Sequence, residues 1–258
     1  MKILSAATDC RTPGPLLALD RLLPVVNLAL TEAGLTARDL DLIATISISP
    51  DRVAIDPAIL GPRVGHPLQR AIGASRAYVF DMLDASLAKV MHAVDIFAHA
   101  QRYENVLIVR TDHCAGLDLQ LGSDLHLPDG ALAMACRPDG RSRFSSAALA
   151  DLSPAVTLAD RIVRDALDVK ATMRFASPPD LAARYGAAMR IAISRLPATG
   201  RSFTESWFSP DANGPFSIGV DLRAALVDNY SGSAIAVSFD PFSPAADAVS
   251  LQCGAHHD

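Results

Sequence analysis

The chain has 258 residues, half of them hydrophobic and a fifth charged, with a formal net charge of −5. That length and apolar content argue against disorder and allow a large core, in one domain or in two closely packed halves. Carboxylates are scattered, lysine occurs only at Lys2, Lys89 and Lys170, and no Lys/Arg stripe is present, which argues against a nucleic-acid partner.

The first residues, Met1 to Asp9, give too short an apolar run for a signal peptide, and Asp9, Arg11 and Pro13 break it. From Leu16 to Ala33 apolar residues recur at helical spacing (Leu19, Leu22, Leu23, Val26, Leu30), and Gly34 stops the helix. Leu42 to Ser49 reads as a strand ended by Pro50-Asp51, and a short helix follows around Pro67 to Ile72. Arg76 to Met82 is a second strand running directly into a long helix, Leu83 to Gln101. That helix carries Asp84, Lys89, His92, Asp95 and His99, so it is a buried helix and no membrane span is expected. Asn105 to Arg110 and Ala131 to Cys136 are further strands. Strand, helix and strand in succession predict right-handed crossovers and a parallel sheet.

The later chain is less regular. Residues 138 to 178 hold turns and a short helix near Leu158 to Leu167, and Pro179 to Leu196 is a helix with a strong apolar face. Ser202 to Phe216, with the only tryptophan, reads as an irregular surface segment. Ser233 to Phe239 and Ala248 to Cys253 form a terminal strand pair. Cys10, Cys114, Cys136 and Cys253 lie far apart without a C-x-x-C, as expected of reduced thiols in a cytoplasmic protein.

The order of segments now carries a resemblance. Ala29 to Leu35, Asp39 to Ile43, the strand end Ser49-Pro50-Asp51, Gly73 to Asp81, Asn105 to Val109 and Asp129-Gly130-Ala131 together resemble the β-ketoacyl-acyl-carrier-protein synthase III family. Leu22-Leu23-Pro24, Gly65 to Gln69, Val79-Phe80-Asp81, Ser86-Leu87-Ala88 and Ser238 to Phe242 narrow it. That combination resembles the non-catalytic subunits of heteromeric 2-alkyl-4-quinolone synthases. The resemblance implies an α/β, thiolase-like fold of two related halves, expected at residues 1–150 and, shortened, at 151–258.

A condensing enzyme of this family needs a cysteine thiolate at a helix N-terminus and a histidine, usually with an asparagine, to polarise the thioester. By resemblance, Ser86 stands where the cysteine belongs, and a serine hydroxyl is inert without an adjacent base. No histidine lies between Leu127 and Ala255, and the aromatic and arginine stretch that grips the coenzyme A nucleotide is expected to be missing as well. Asn229 matches the family's asparagine region only as a turn residue.

The resemblance therefore implies a silent subunit of an acyl-condensing complex, without cofactor or metal of its own. Its partner would be a Cys-containing ketosynthase III-like subunit that joins a fatty acyl group to 2-aminobenzoylacetate. The partner surface is expected on the strand bearing Arg76, Tyr78, Phe80 and Met82, which in thiolase-fold dimers pairs across the two-fold. Two other readings compete: an acyltransferase or thioesterase using Ser86, and a self-contained homodimeric ligand-binding scaffold. The first needs a base beside Ser86, with His66, His92, His99, His113 and His126 on offer; His92 lies six residues along the same helix and points elsewhere.

Simpler roles are assigned to the remaining polar clusters. Ser86 is read as a helix cap, and His92 and His99 as satisfied helix residues. Asp124-x-His126-x-x-Asp129 is read as a polar turn, and Cys253 with His256, His257 and Asp258 as a frayed tail. Trp207-Phe208 with Phe203 is either core or a partner anchor.

Overall fold

The structure, a computed structural model, describes residues 1–10, 17–47, 64–82, 86–113, 118–121, 128–149, 156–165, 168–175, 180–197, 200–208, 213–240 and 243–254. Twelve strands and five α-helices lie in this part. The first strand is β1 (Lys2–Asp9), followed by helix α1 (Ala18–Glu32) and β2 (Leu42–Ile46). Next come α2 (Gly65–Ile72), β3 (Tyr78–Met82), α3 (Leu87–Ala100) and β4 (Val106–Asp112). β5 (Asp118–Leu121), β6 (Gly130–Arg137) and β7 (Phe144–Ala148) lead to the long pair β8 (Val156–Asp165) and β9 (Asp168–Phe175). The chain ends with α4 (Leu181–Ser194), β10 (Arg201–Thr204), α5 (Ser217–Val227), β11 (Gly232–Asp240) and β12 (Ala245–Cys253).

Nine strands form one sheet in the order β10-β11-β12-β1-β6-β4-β2-β3, with β7 also on β12; β5, β9 and β8 form a second, three-stranded sheet. The large sheet folds at the short β1–β12 junction, where Lys2 and Ile3 face Gln252 and Cys253. Its two wings then enclose α3 and α5: α3 packs on β2 from one wing and on β11 and β12 from the other. The central core accordingly mixes both wings, with Leu42, Ile108 and Met134 from one and Ala236, Val249 and Leu251 from the other. Period-2 alternation fills the outer layers. Ile43, Val109 and Ala133 turn to α1 and α2, and Ile235, Val237 and Phe239 turn to α4. The layers run helix, sheet, helix, sheet, helix.

Several expectations are corrected. The sheet is mixed: β2 pairs in parallel with β3 and β4, but β6 runs antiparallel to both β1 and β4. Among the described residues no helix lies between β4 and β6, and an antiparallel pair needs none. The short helix expected at 158–167 is strand β8, held by β9 in a register that sets Val156 opposite Phe175, Leu158 opposite Met173 and Ile162 opposite Ala171. Backbone pairing with β9 there overrides a weak local pattern. The Trp207 segment is not surface: the indole is fully buried in the outer core beside Phe239. The expected division at residue 150 falls outside the described residues, although β7 already pairs with β12 before it. Among the described residues no helix is long and apolar enough to cross a membrane.

Candidate functional site

The sequence places a capping residue, Ser86, immediately before an apolar helical run, and that is how α3 starts. Ser86 is extended, and its Oγ accepts from the backbone N–H of Lys89 at 3.3 Å. The hydroxyl is fully buried and donates to Asp247 Oδ2 at 2.6 Å, with Ser238 Oγ at 3.1 Å. Ser238 Oγ in turn accepts from Ala88 N–H at 2.9 Å. Alternation along β11 and β12 explains the meeting: Ser238, Asp240 and Asp247 share the inner-facing parity of Ala236 and Val249. Lys89, one turn into α3, bonds Asp240 and stands 3.7 Å from Asp247.

Asp247 is a carboxylate within hydrogen-bond reach of the Ser86 hydroxyl, with Lys89 3.7 Å from it. Burial raises the Asp247 carboxyl above the usual carboxylate range, against the pull of hydrogen bonds from Ser146 and Ser86 and of the Lys89 ammonium. Negative charge developing on a group at position 86 would face Asp247 at hydrogen-bond distance, with Asp240 behind it.

A second buried polar group adjoins the first through Phe239. Arg110, at the end of β4, is fully buried and pairs with Asp112 at 3.0 Å and with Glu205 at 3.4 Å. Glu205 Oε2 also accepts from Trp207 Nε1 at 2.6 Å and from Phe239 N–H at 3.1 Å. Burial dominates at Glu205, pushing its carboxyl up to about 8 despite Arg110 and the two donors. Charged and hydrogen-bonded side chains thus fill the ends of β4, β10 and β11 between the two wings.

The other candidates scatter. His92 Nδ1 lies 3.0 Å from Ser142 Oγ and the ring stacks on Phe144, while His99 packs against Gly140. His66 meets Gln69, and His113 lies 3.7 Å from Asp129, which also faces Arg21 at 3.8 Å. Asn229 adopts a left-handed turn after α5, at φ 59°. Burial pushes the thiols of Cys10 and Cys253 up to about 12 and raises that of Cys136, so all three are protonated and unreactive at neutral pH. Cys114, Asp124, His126 and the tail His256, His257 and Asp258 lie outside the described residues.

Among the described residues, strand β3 is the edge of the large sheet and pairs with β2 alone. Tyr78 is 63% exposed and stacks on Tyr103, whereas Phe80 and Met82 are half-buried, Phe80 against Phe97 of α3. Arg76 is exposed just before the strand. The four interface candidates therefore adjoin one open edge, and Ser86 lies inside the fold. Asp247, Asp240, Arg110 and Glu205 were missed by sequence reasoning; the available signal was a charged residue ending or interrupting an apolar strand.

No family model matches the chain. It is 36% identical over 255 residues to the 2-heptyl-4(1H)-quinolone synthase subunit PqsB of Pseudomonas aeruginosa PAO1, covering 94% of this chain and 88% of that one. The chain belongs to the PqsB family. A shorter similarity, 36% over 87 residues, links a third of it to β-ketoacyl-[acyl-carrier-protein] synthase III 1 of Bacillus cereus. Among solved structures, the priming β-ketosynthase of the R1128 polyketide pathway superimposes with a TM-score of 0.70 at 14% identity, over 98% of this chain and 96% of the other. 3-Oxoacyl-(acyl carrier protein) synthase III of P. aeruginosa PAO1 gives 0.67 at 16%, over 94% and 85%. The fold is the thiolase fold of ketosynthase III enzymes.

Proposed function

We propose that this chain is the catalytically silent subunit of a heteromeric condensing enzyme. Its partner is a Cys-containing ketosynthase III-like subunit, which takes a fatty acyl group from a coenzyme A thioester and condenses it with 2-aminobenzoylacetate to give a 2-alkyl-4-quinolone. Membership of a family that includes a quinolone synthase subunit supports the setting. One observation carries the silence: the hydroxyl at the head of α3 is fully buried and spent on Asp247 and the Lys89 backbone. The chain's contribution is then a surface, with β3 extending the partner's sheet and α3 bracing it.

The test is condensation assayed on the co-purified complex with Ser86→Ala against the parent, normalised to intact complex. Turnover is expected to be unchanged. An acyl adduct on Ser86 by mass spectrometry, or a collapse of turnover in an intact complex, would establish chemistry at Ser86 with Asp247 as its base. Failure to form any complex with a ketosynthase III-like subunit would favour a homodimeric scaffold.

A further inference from the structure

The backbone between β6 and β7 carries Arg141, Ser142 and Arg143. Alternation in extended chain sets both arginines outward, where they are exposed, and Ser142 inward, where it is buried. This strap is rigidly held. Asp95, fully buried on α3, accepts from the N–H groups of Asp139 at 2.9 Å and Gly140 at 3.2 Å through one oxygen, and from that of Ser142 at 3.0 Å through the other. Gly140 sits at φ +67°, and a Cβ there would come within 2.5 Å of the His99 ring. Ser142 Oγ meets His92 Nδ1, and the His92 ring lies nearly parallel to Phe144, 5.5 Å apart at 12°.

Beside the strap is a cavity of about 570 Å³, bounded by His92, Ile96, Phe144, Arg141 and Arg143, with no carboxylate among its described lining residues. Neither guanidinium has an acceptor among the described residues, and the same is true of His92 Nε2. Two arginines and His92 thus line a space whose walls are completed by Gly140, Ser142, Ile96 and Phe144. Ile96 is 45% exposed there. A second cavity of about 410 Å³ shares both arginines but includes Asp139, which weakens it as an anion site.

We infer that the larger cavity binds a small organic oxyanion, a carboxylate or phosphate carried on an aromatic or short apolar body. Two planar guanidinium forks two residues apart suit a bidentate oxyanion, and Ile96 with the Phe144 ring supplies apolar contact for the rest of the ligand. Its size is that of an ordinary small-molecule site. The site lies toward the C-terminal half of α3 and so is separate from Ser86 at the other end of that helix.

Benzoate, phenyl phosphate and inorganic phosphate would be titrated into the full-length chain, alone and in its complex, with binding followed by calorimetry and by the His92 imidazole resonances. Saturable binding of an organic oxyanion, tighter than inorganic phosphate, is expected, and the preference between the two organic probes assigns the headgroup. The R141Q/R143Q double variant, shown to melt like the parent, should weaken it by about tenfold or more. Ile96→Asp tests the apolar wall without touching the strap and should also weaken binding. No saturable signal with either organic probe, equal binding of inorganic phosphate, or unchanged affinity in R141Q/R143Q would each overturn the assignment.

Discussion

At Ser86 one hydroxyl caps a helix, donates to a buried carboxylate and sits beside a second serine. Ser86→Ala removes the cap and leaves Asp247 short of a donor, so unfolding should become about 1–3 kcal/mol easier even though turnover is unaffected. Urea titration of parent and variant checks this, and an unchanged midpoint would mean the Ser86–Asp247 bond contributes nothing. Glu205 gives a pH dependence. Its folded-state carboxyl is raised to about 8 by burial, so the native state holds that proton more tightly than the unfolded chain does. Stability contributed by the protonated form is present below the ordinary carboxylate range and is lost as pH rises toward about 8 and beyond. Arg110 is then balanced at neutral pH by Asp112. Glu205→Gln keeps an acceptor for Trp207 while removing the titration, so denaturant unfolding compared at pH 6 and pH 9 should show a smaller decline in the variant than in the parent. An equal decline in both would place the titrating group elsewhere.

Among the elements, those with clean periodicity were legible: α1 and α3 from their apolar stripes, and β2, β4 and β6 from unbroken apolar runs between turns. β1 was not, because Ser5 and Thr8 dilute its pattern and its place comes from pairing with β6 and β12, far along the chain. β8 was misread because only its register with β9 reveals which residues share a face. Edge strand β3 was expected as a strand, and its open side can be read from bonding. Tyr78 N–H goes to Asp41 O on the β2 side, so the N–H groups of the alternate residues Val79 and Asp81 face away from β2. Val79→Pro removes one outward donor and leaves the β2 ladder intact. It should abolish co-purification with the ketosynthase III-like partner while costing the isolated fold little. Retained complex at parental affinity would show that β3 is not the seam; loss of the folded chain itself, seen by circular dichroism, would move the test to Tyr78→Ser on the same edge.

For the molecule as a whole, the thiolase-like architecture was accessible through the family resemblance that the order of segments carries, whereas the buried Ser86 site was not. Ser86 and Asp247 are 161 residues apart in sequence, and nothing near either one announces the other. The halves meet across a core in which α3 and α5 are shared, so neither wing buries its inner face alone. The same reasoning applied one level up concerns β3: a sheet edge with an exposed tyrosine, half-buried Phe80 and Met82, and outward N–H groups is a template for another strand. Without its partner, the chain should cover that edge with a second copy of itself. Sedimentation velocity of the isolated chain at two concentrations should therefore show concentration-dependent self-association that disappears when the ketosynthase III-like subunit is present in equal amount. A monodisperse monomer at both concentrations would mean that the β3 edge is tolerated in water, and that burial of this edge is not what a partner would supply.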